Sequence, residues 1–291
     1  MALTAKTLFT RLNRSALPPP VAGGPYETVI RWIDNVVAFI TLERSLIMRN
    51  ILIVGRGDPV HAYGVMIRIF FVINAHIWFF WEIDRPIPSA ISYVIFNTAG
   101  FAVWMFFSIA ARCAMPTSSG THLTVALNLK WIHLYIADLT WQLSGVFLSM
   151  VVTLAFYAIF QFPRLGPPIV MPNLPLLLAC CAIGAIQGAG VGIMFFLAGR
   201  RWPVMEVVWE IFYWIMFVSA GVYECYTAFP WYVARYYKYF PMIAPIEFSR
   251  KALAPGYATG DLNLYYPTVL GLVILVLALL VRPLLLRPKK A

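Results

Sequence analysis

Apolar residues in this chain come in long runs rather than in alternation, and those runs set its plan. Six segments, at roughly 62–81, 88–111, 134–160, 174–198, 203–222 and 265–286, each hold about 20 mostly apolar residues, enough to cross a hydrocarbon core as a helix. The stretch before them is patterned differently. In "YETVIRWIDNVVAFITLERSLIMRN", Val29, Ile33, Val36, Val37 and Ile40 recur at helical spacing, while Arg31, Asp34, Asn35 and Thr41 fall mainly on the other side. That pattern predicts an amphipathic helix in the membrane interface, within a region spanning residues 26–58. It is reached through a flexible, proline-rich N-terminus over residues 1–25. Residues 59–291 then form one all-α, six-span membrane domain.

One stretch fits neither pattern. "YECYTAFPWYVARYYKYFP", residues 223–241, is nearly half aromatic, contains two prolines and three charges, and lies between the fifth and sixth apolar segments. It is too charged and too broken for a span, and too aromatic for a solvated loop. Irregular backbone at membrane depth is tolerated only against protein or a water-filled cavity. The expectation is a re-entrant helical hairpin over about residues 223–257, broken near Pro230 and Pro241 and dipping into the outer leaflet.

Composition agrees with a membrane protein: 61% of residues are hydrophobic and 12% charged, where a soluble domain carries about 25% charge. Residues 1–25 contain no apolar signal region, so the first span is expected to target the chain. The formal charge of +10 does not point to nucleic acid, because no basic soluble domain carries it. It points instead to orientation, with anionic membrane lipid as the nearest partner. With six spans, fifteen basic residues fall on the side of both termini and six on the other, which makes the termini cytoplasmic.

Candidate chemistry is sparse. The cysteines (Cys113, Cys180, Cys181, Cys225) form no CxxC pair, and the histidines at 61, 76, 122 and 133 stand singly, so no metal or redox site is expected. Gly184, Gly188 and Gly192 form a small-residue ladder for close helix approach, within one chain or, less simply, between two copies. "GAIQGAGVG" lacks a following Gly-Lys-Ser/Thr and is no phosphate loop.

Spans one and five hold the polar and aromatic residues of interest. In span one, Tyr63, Phe70, Trp78 and Trp81 share a face with Asn74 nearby. Arg68 would cost about 2.5–3.5 kcal/mol facing lipid at the bilayer centre; it either snorkels to the cytoplasmic surface or faces an aqueous path. In span five, Trp202, Trp209, Met216 and Tyr223 recur every seven residues, and Glu206, Glu210, Tyr213 and Phe217 form a second face. Glu206 reads as a helix start ion-paired with Arg200 or Arg201; Glu210 reads as a pore or inter-helix contact. The aromatic faces have two readings: packing and interfacial anchoring, or an apolar, weakly directional surface along which sugar rings slide.

The arrangement resembles type-2 ATP-binding-cassette exporter permeases, above all the inner-membrane permease of capsular and O-antigen polysaccharide exporters. The specific matches are "SAGVY" at 219–223, then Pro230 and "YFPMIAPIEFSRKALAPGY" at 239–257, similar to the family's Asn-Pro-Leu segment followed by an acidic-x-x-Arg helix and Gly-Tyr. "FNTAGFAVWMFF" (96–107) and "LNLKWIHLYIAD" (127–138) match more weakly. Phe240 stands where the family has asparagine, and the Arg-rich opening of the interfacial helix is represented only by Glu43, Arg44 and Arg49.

The resemblance implies a transporter subunit of the bacterial inner membrane, not an enzyme, working as two copies with two copies of a separate ATPase subunit. ATP and Mg would bind that partner, with no cofactor in this chain. Channel-lining candidates are Tyr63, Arg68, Phe70, Asn74, Trp78, Trp81, Trp209, Glu210, Tyr213 and Phe217. External gate candidates are Tyr223, Glu224, Pro230, Trp231, Tyr232, Tyr236, Pro241, Glu247 and Arg250, although the tyrosines read equally as headgroup anchors. Coupling to the ATPase falls to Glu43, Arg44 and Arg49, and to Thr117, His122 and Lys130 in the 112–133 loop. The implied substrate is a lipid-linked polysaccharide, handed on where present to a periplasmic co-polymerase-like protein and an outer-membrane export protein. Two rivals stand beside this reading: the same fold exporting a small amphiphile, and a membrane-embedded glycosyl- or lipid-transfer enzyme.

Overall fold

The computed structural model describes residues 33–34, 36–38, 40–41, 59–82, 88, 91–115, 131–160, 172–202 and 204–285. The chain divides into two units, Met1–Ser45 and Leu46–Ala291. In the first, the described positions between 33 and 41 are helical, and Ile33, Val37 and Ile40 form an exposed apolar row. These side chains sit at the spacing the sequence predicts for one face of a helix. Glu43, Arg44 and Arg49 lie outside the described residues, as do Thr117, His122 and Lys130.

The second unit is all-α, with no strand among its described residues. Each predicted apolar segment is a helix: α1 (Pro59–Glu82), α2 (Tyr93–Ala114), α3 (Trp131–Phe160), α4 (Leu174–Arg201) and α5 (Met205–Ser219), with α8 (Tyr265–Leu285) last. Between α5 and α8 lie a short 3-10 turn (Tyr226–Ala228) and two short helices, α6 (Trp231–Tyr237) and α7 (Ile243–Leu253). Four helices, α2, α3, α4 and α8, contain stretches long and apolar enough to cross a membrane. The expected fifth span is shorter than its apolar segment. At 15 residues, α5 measures about 22 Å, against a hydrocarbon thickness of about 30 Å.

Local chemistry sets the helix boundaries. The Ser92 hydroxyl accepts from the backbone N–H of Ile95 at 3.2 Å and starts α2 five residues later than the apolar run. Asn173 does the same for α4 through Leu176 N–H at 3.1 Å, with a proline in the first turn that lacks the N–H a helix start leaves unpaired. Helix α5 stops just before Gly221, whose φ of 78° favours glycine.

Helix α2 is the centre of the unit, with 89% of its apolar window buried. Its lack of a polar stripe follows, since a helix covered on all sides needs none. Helix α4 lies parallel to it at very close range: a Cβ on Gly188 would stand 2.1 Å from the Phe107 carbonyl oxygen, and one on Gly192 2.2 Å from that of Ala111. The glycine ladder is therefore an intramolecular seam. On the opposite side of α4, Gly190 meets the backbone of α8 at Leu275. Helices α1 and α3 run side by side, with Ser149 Oγ donating to the Met66 carbonyl at 3.0 Å and Asn74 meeting Thr153 further along.

The segment from 220 to 264 covers one end of this bundle. Asn173 N–H, at the start of α4, donates to the Ala252 carbonyl of α7 at 2.7 Å. Gln187 reaches up from α4 to the carbonyls of Pro241 (3.2 Å) and Pro267 (2.9 Å), tying the turn before α7 to the first turn of α8. The breaks fall where the prolines stand: α6 follows Pro230 directly, and Pro241 lies in the turn ahead of α7.

Candidate functional site

Arg250 on α7 organises this end of the molecule. Its side chain and that of Glu247, one turn earlier, are both 0% exposed. A buried guanidinium is tolerable only when each of its five N–H groups finds an acceptor, and here each does. Nη1 donates to Glu247 Oε1 (2.8 Å) and to the Glu224 carbonyl (3.2 Å). Nη2 donates to the carbonyls of Gly221 (2.9 Å) and Val222 (2.8 Å), and Nε to that of Phe96 (3.2 Å). The guanidinium carbon also sits 3.5 Å from the centre of the Phe96 ring, a cation–π contact.

Three of those carbonyls belong to the turn leaving α5, which is too irregular to satisfy itself. Glu247 completes the balance. Its Oε1 accepts from Tyr226 N–H at 3.0 Å and its Oε2 from the Tyr257 hydroxyl at 2.6 Å. Burial pushes the Tyr257 hydroxyl well above its ordinary range, which keeps it protonated as a donor. One ion pair thus joins α7, α2, the α5 exit turn and the 3-10 turn.

A second clasp closes the outer edge. Asp261 accepts from Tyr226 Oη at 2.7 Å and from Lys238 Nζ at 2.8 Å. The hydrogen bond from Lys238 is the main reason the Asp261 carboxyl lies below its usual range, and the same bond raises the Lys238 ammonium. A depressed carboxylate contributes stability above its unfolded value of about 3.9 and loses it as pH falls through the folded value. A raised lysine contributes below about 10.4 and loses it as pH rises through the folded value. Protease sensitivity of the 220–264 segment should therefore stay flat across neutral pH and rise at the acid end. Asp261→Asn should show the acid level of cleavage throughout; a pH profile identical to wild type would remove the clasp.

Beneath the cap runs an aromatic column. His76 Nδ1 faces the Val72 carbonyl at 2.7 Å and so carries a proton; in the neutral ring, Nε2 then accepts from Tyr223 Oη at 3.0 Å. His76 and Tyr223 both border Phe101, with centroids at 4.5 and 6.2 Å. The column continues through Phe217 and Trp104 (5.2 Å), then Tyr213 (5.3 Å from Trp104) and Trp209 (6.0 Å from Tyr213).

The candidates for a channel lining therefore separate. Trp209, at 6% exposed, and Phe217 are covered by the chain's own α2 and α4, and half-buried Tyr213 accepts from Ser108 Oγ at 3.3 Å. In this unit they serve packing. Phe70, Asn74 and Trp81 are half-buried on α1, while Arg68, Trp78 and Glu210 are exposed. The Tyr63 side chain is outside the described residues. Glu206 was expected to pair with Arg200 or Arg201; it is exposed and forms no ion pair with a described residue.

Among the gate candidates, Trp231, Tyr232 and Tyr236 are exposed on α6, together with Pro230 at its start; Tyr223, Glu224 and Pro241 are half-buried. Glu247 and Arg250 touch no solvent and hold the cap in place. Sequence reasoning passed over His76, Gln187, Tyr226, Tyr257 and Asp261. The signal for Gln187 was present: an amide inside an apolar run must find partners. A comparison with protein-family models found no match, and a comparison with curated proteins found none either.

Proposed function

We propose that this chain is the membrane subunit of an ATP-driven exporter for a lipid-linked cell-surface polysaccharide, seated in the bacterial inner membrane with both termini cytoplasmic. The observation that carries the reading is the segment where the sequence resemblance is most specific. "SAGVY" and the Glu247-x-x-Arg250 helix are not scattered matches: they meet in one buried network that caps the bundle beside the aromatic column. In this reading α5, with its exit turn, is a short fifth crossing helix beneath that cap. In this proposal all six long helices cross the membrane and the α6–α7 pair dips into the outer leaflet as the external gate.

Two copies of the chain and two of a separate ATPase subunit make up the working assembly. The channel runs between copies, along the exposed residues of α1 and α5 rather than along the covered ones. Arg68 and Glu210 fit that seam. Both are exposed, neither pairs with a described residue, and a lone charge at membrane depth is unfavourable. In the dimer Arg68 of one copy lies against Glu210 of the other. A chain carrying Arg68→Cys and Glu210→Cys should form an oxidised dimer that neither single variant forms; its absence would sink this pairing.

The functional test uses Trp231, which is 77% exposed and whose loss should not disturb the fold. Trp231→Ala should cut polymer export while leaving assembly with the ATPase intact, and unchanged export would remove Trp231 from the path. Purified alone, the chain should hydrolyse no ATP until the partner subunit is added. Turnover by the chain alone would overturn the reading.

A further inference from the structure

Beside the α6 helix lies an open groove of about 640 Å³ with almost wholly apolar walls: Tyr232, Tyr236, Tyr237, Tyr239, Phe240 and Pro241. Its depth is fixed by α8. Tyr239 meets Tyr266 edge to face at 5.9 Å, and Tyr266 stands in the first turn of that helix. The membrane-crossing stretch of α8 begins at Tyr265 and is 18 residues long, about 27 Å, which matches the hydrocarbon core. The groove therefore sits at the boundary between acyl chains and headgroups, where Tyr and Trp concentrate.

The charge at its rim is one-sided. Lys238 is neutralised by Asp261 at 2.8 Å. Arg235 is exposed, pairs with no described carboxylate, and lies 5.9 Å from the ring of Tyr236. A saccharide pocket needs converging donors and acceptors on its walls, and this one offers only tyrosine hydroxyls. An apolar trough with one unpaired cation at headgroup depth suits an amphiphile bearing a phosphate.

We infer that this groove is a binding site for an anionic phospholipid of the surrounding membrane, with Arg235 on the phosphate and the tyrosine walls around the upper acyl chains. The site rests on the membrane placement proposed above, not on the identity of the transported molecule. It differs from general lipid contact in depending on one named cation.

The test is native mass spectrometry of the full detergent-purified chain, incubated with phosphatidylglycerol. Wild type should retain one lipid more tightly than the rest. Arg235→Gln should hold it about five-fold less well, the factor that one basic side chain near anionic lipid confers. Arg235→Lys should recover most of the binding, Tyr236→Ala with Tyr239→Ala should lose it, and Lys251→Gln should not change it. Equal retention by wild type and Arg235→Gln, or equal retention of phosphatidylethanolamine, would reduce the site to ordinary lipid contact. Displacement by inorganic phosphate would make it a phosphate site, and displacement by a neutral oligosaccharide a sugar platform; either overturns the assignment. Thermal melts of each variant show whether lost binding reflects lost folding, since a variant that melts with wild type and still binds equally refutes the role of its residue.

Discussion

Gly188→Ala should melt well below wild type, although it adds only one methyl group. The new Cβ would stand 2.1 Å from the Phe107 carbonyl oxygen and 2.8 Å from its carbon, and backbone cannot turn aside as a flexible side chain can. Helices α2 and α4 would have to separate along their length, and α4 is held on its other side by α8 at Gly190. Overpacking of a tight core costs about 1–3 kcal/mol, and contact with backbone belongs at the upper end. That is a large share of the roughly 5–15 kcal/mol by which folded proteins are stable. Gly192→Ala should behave alike. Gly145→Ala and Gly199→Ala, where nothing lies within 4 Å, serve as controls. They should melt at or above the wild-type temperature, because alanine favours a helix over glycine. Detergent-solubilised thermal unfolding decides it: a Gly188→Ala chain melting with wild type would disprove the seam.

The second large effect is expected at Arg250. Arg250→Ala removes five hydrogen bonds and leaves the fully buried Glu247 carboxylate without its counter-charge. Breaking a buried pair by deleting one partner costs about 3–5 kcal/mol. The damage should be local at first, because the carbonyls released belong to the α5 exit turn. Limited proteolysis should nick the chain within about residues 220–230 before the helical bundle melts, a difference that local unfolding units produce. Arg250→Lys should restore part of the protection, since an ammonium has three donors against the guanidinium's five and no planar fork. If Arg250→Ala keeps wild-type resistance in this segment, the Arg250 network does not hold it.

Much of this could be read along the chain. All six apolar runs are helices; the start of α2 moved to follow Ser92, and the end of α5 moved back ahead of Gly221. Pro230 and Pro241 located the breaks around α6, because proline lacks the N–H that a continuing helix requires. The glycine spacing announced a close helix contact. It could not say with which helix, since the same ladder serves a dimer equally well.

The aromatic residues show the limit most sharply. Trp209, Tyr213 and Phe217 have the spacing of one helix face, and spacing tells which residues face together but not what they face. In the structure that face packs on Trp104 and Phe101 of α2, while Arg68, Trp78 and Glu210 remain open. Likewise Glu247 and Arg250 were recognisable as a spaced acidic-basic pair, yet that spacing occurs on many solvated helices. Their role depends on the carbonyls of Phe96, Gly221, Val222 and Glu224, two of which lie more than a hundred residues apart in the chain.

The sequence alone thus determined that the chain is helical, that its helices include ones long and apolar enough to cross a membrane, where its helices run, and that residues 223–257 are something other than one long apolar helix. These follow from composition and local stereochemistry, which act over a few residues. Only the tertiary structure decided which aromatic residues are covered, which charges have no partner among the described residues, and that a buried arginine holds the cap. Burial and hydrogen-bond satisfaction are set by segments distant in sequence, so no local pattern contains them.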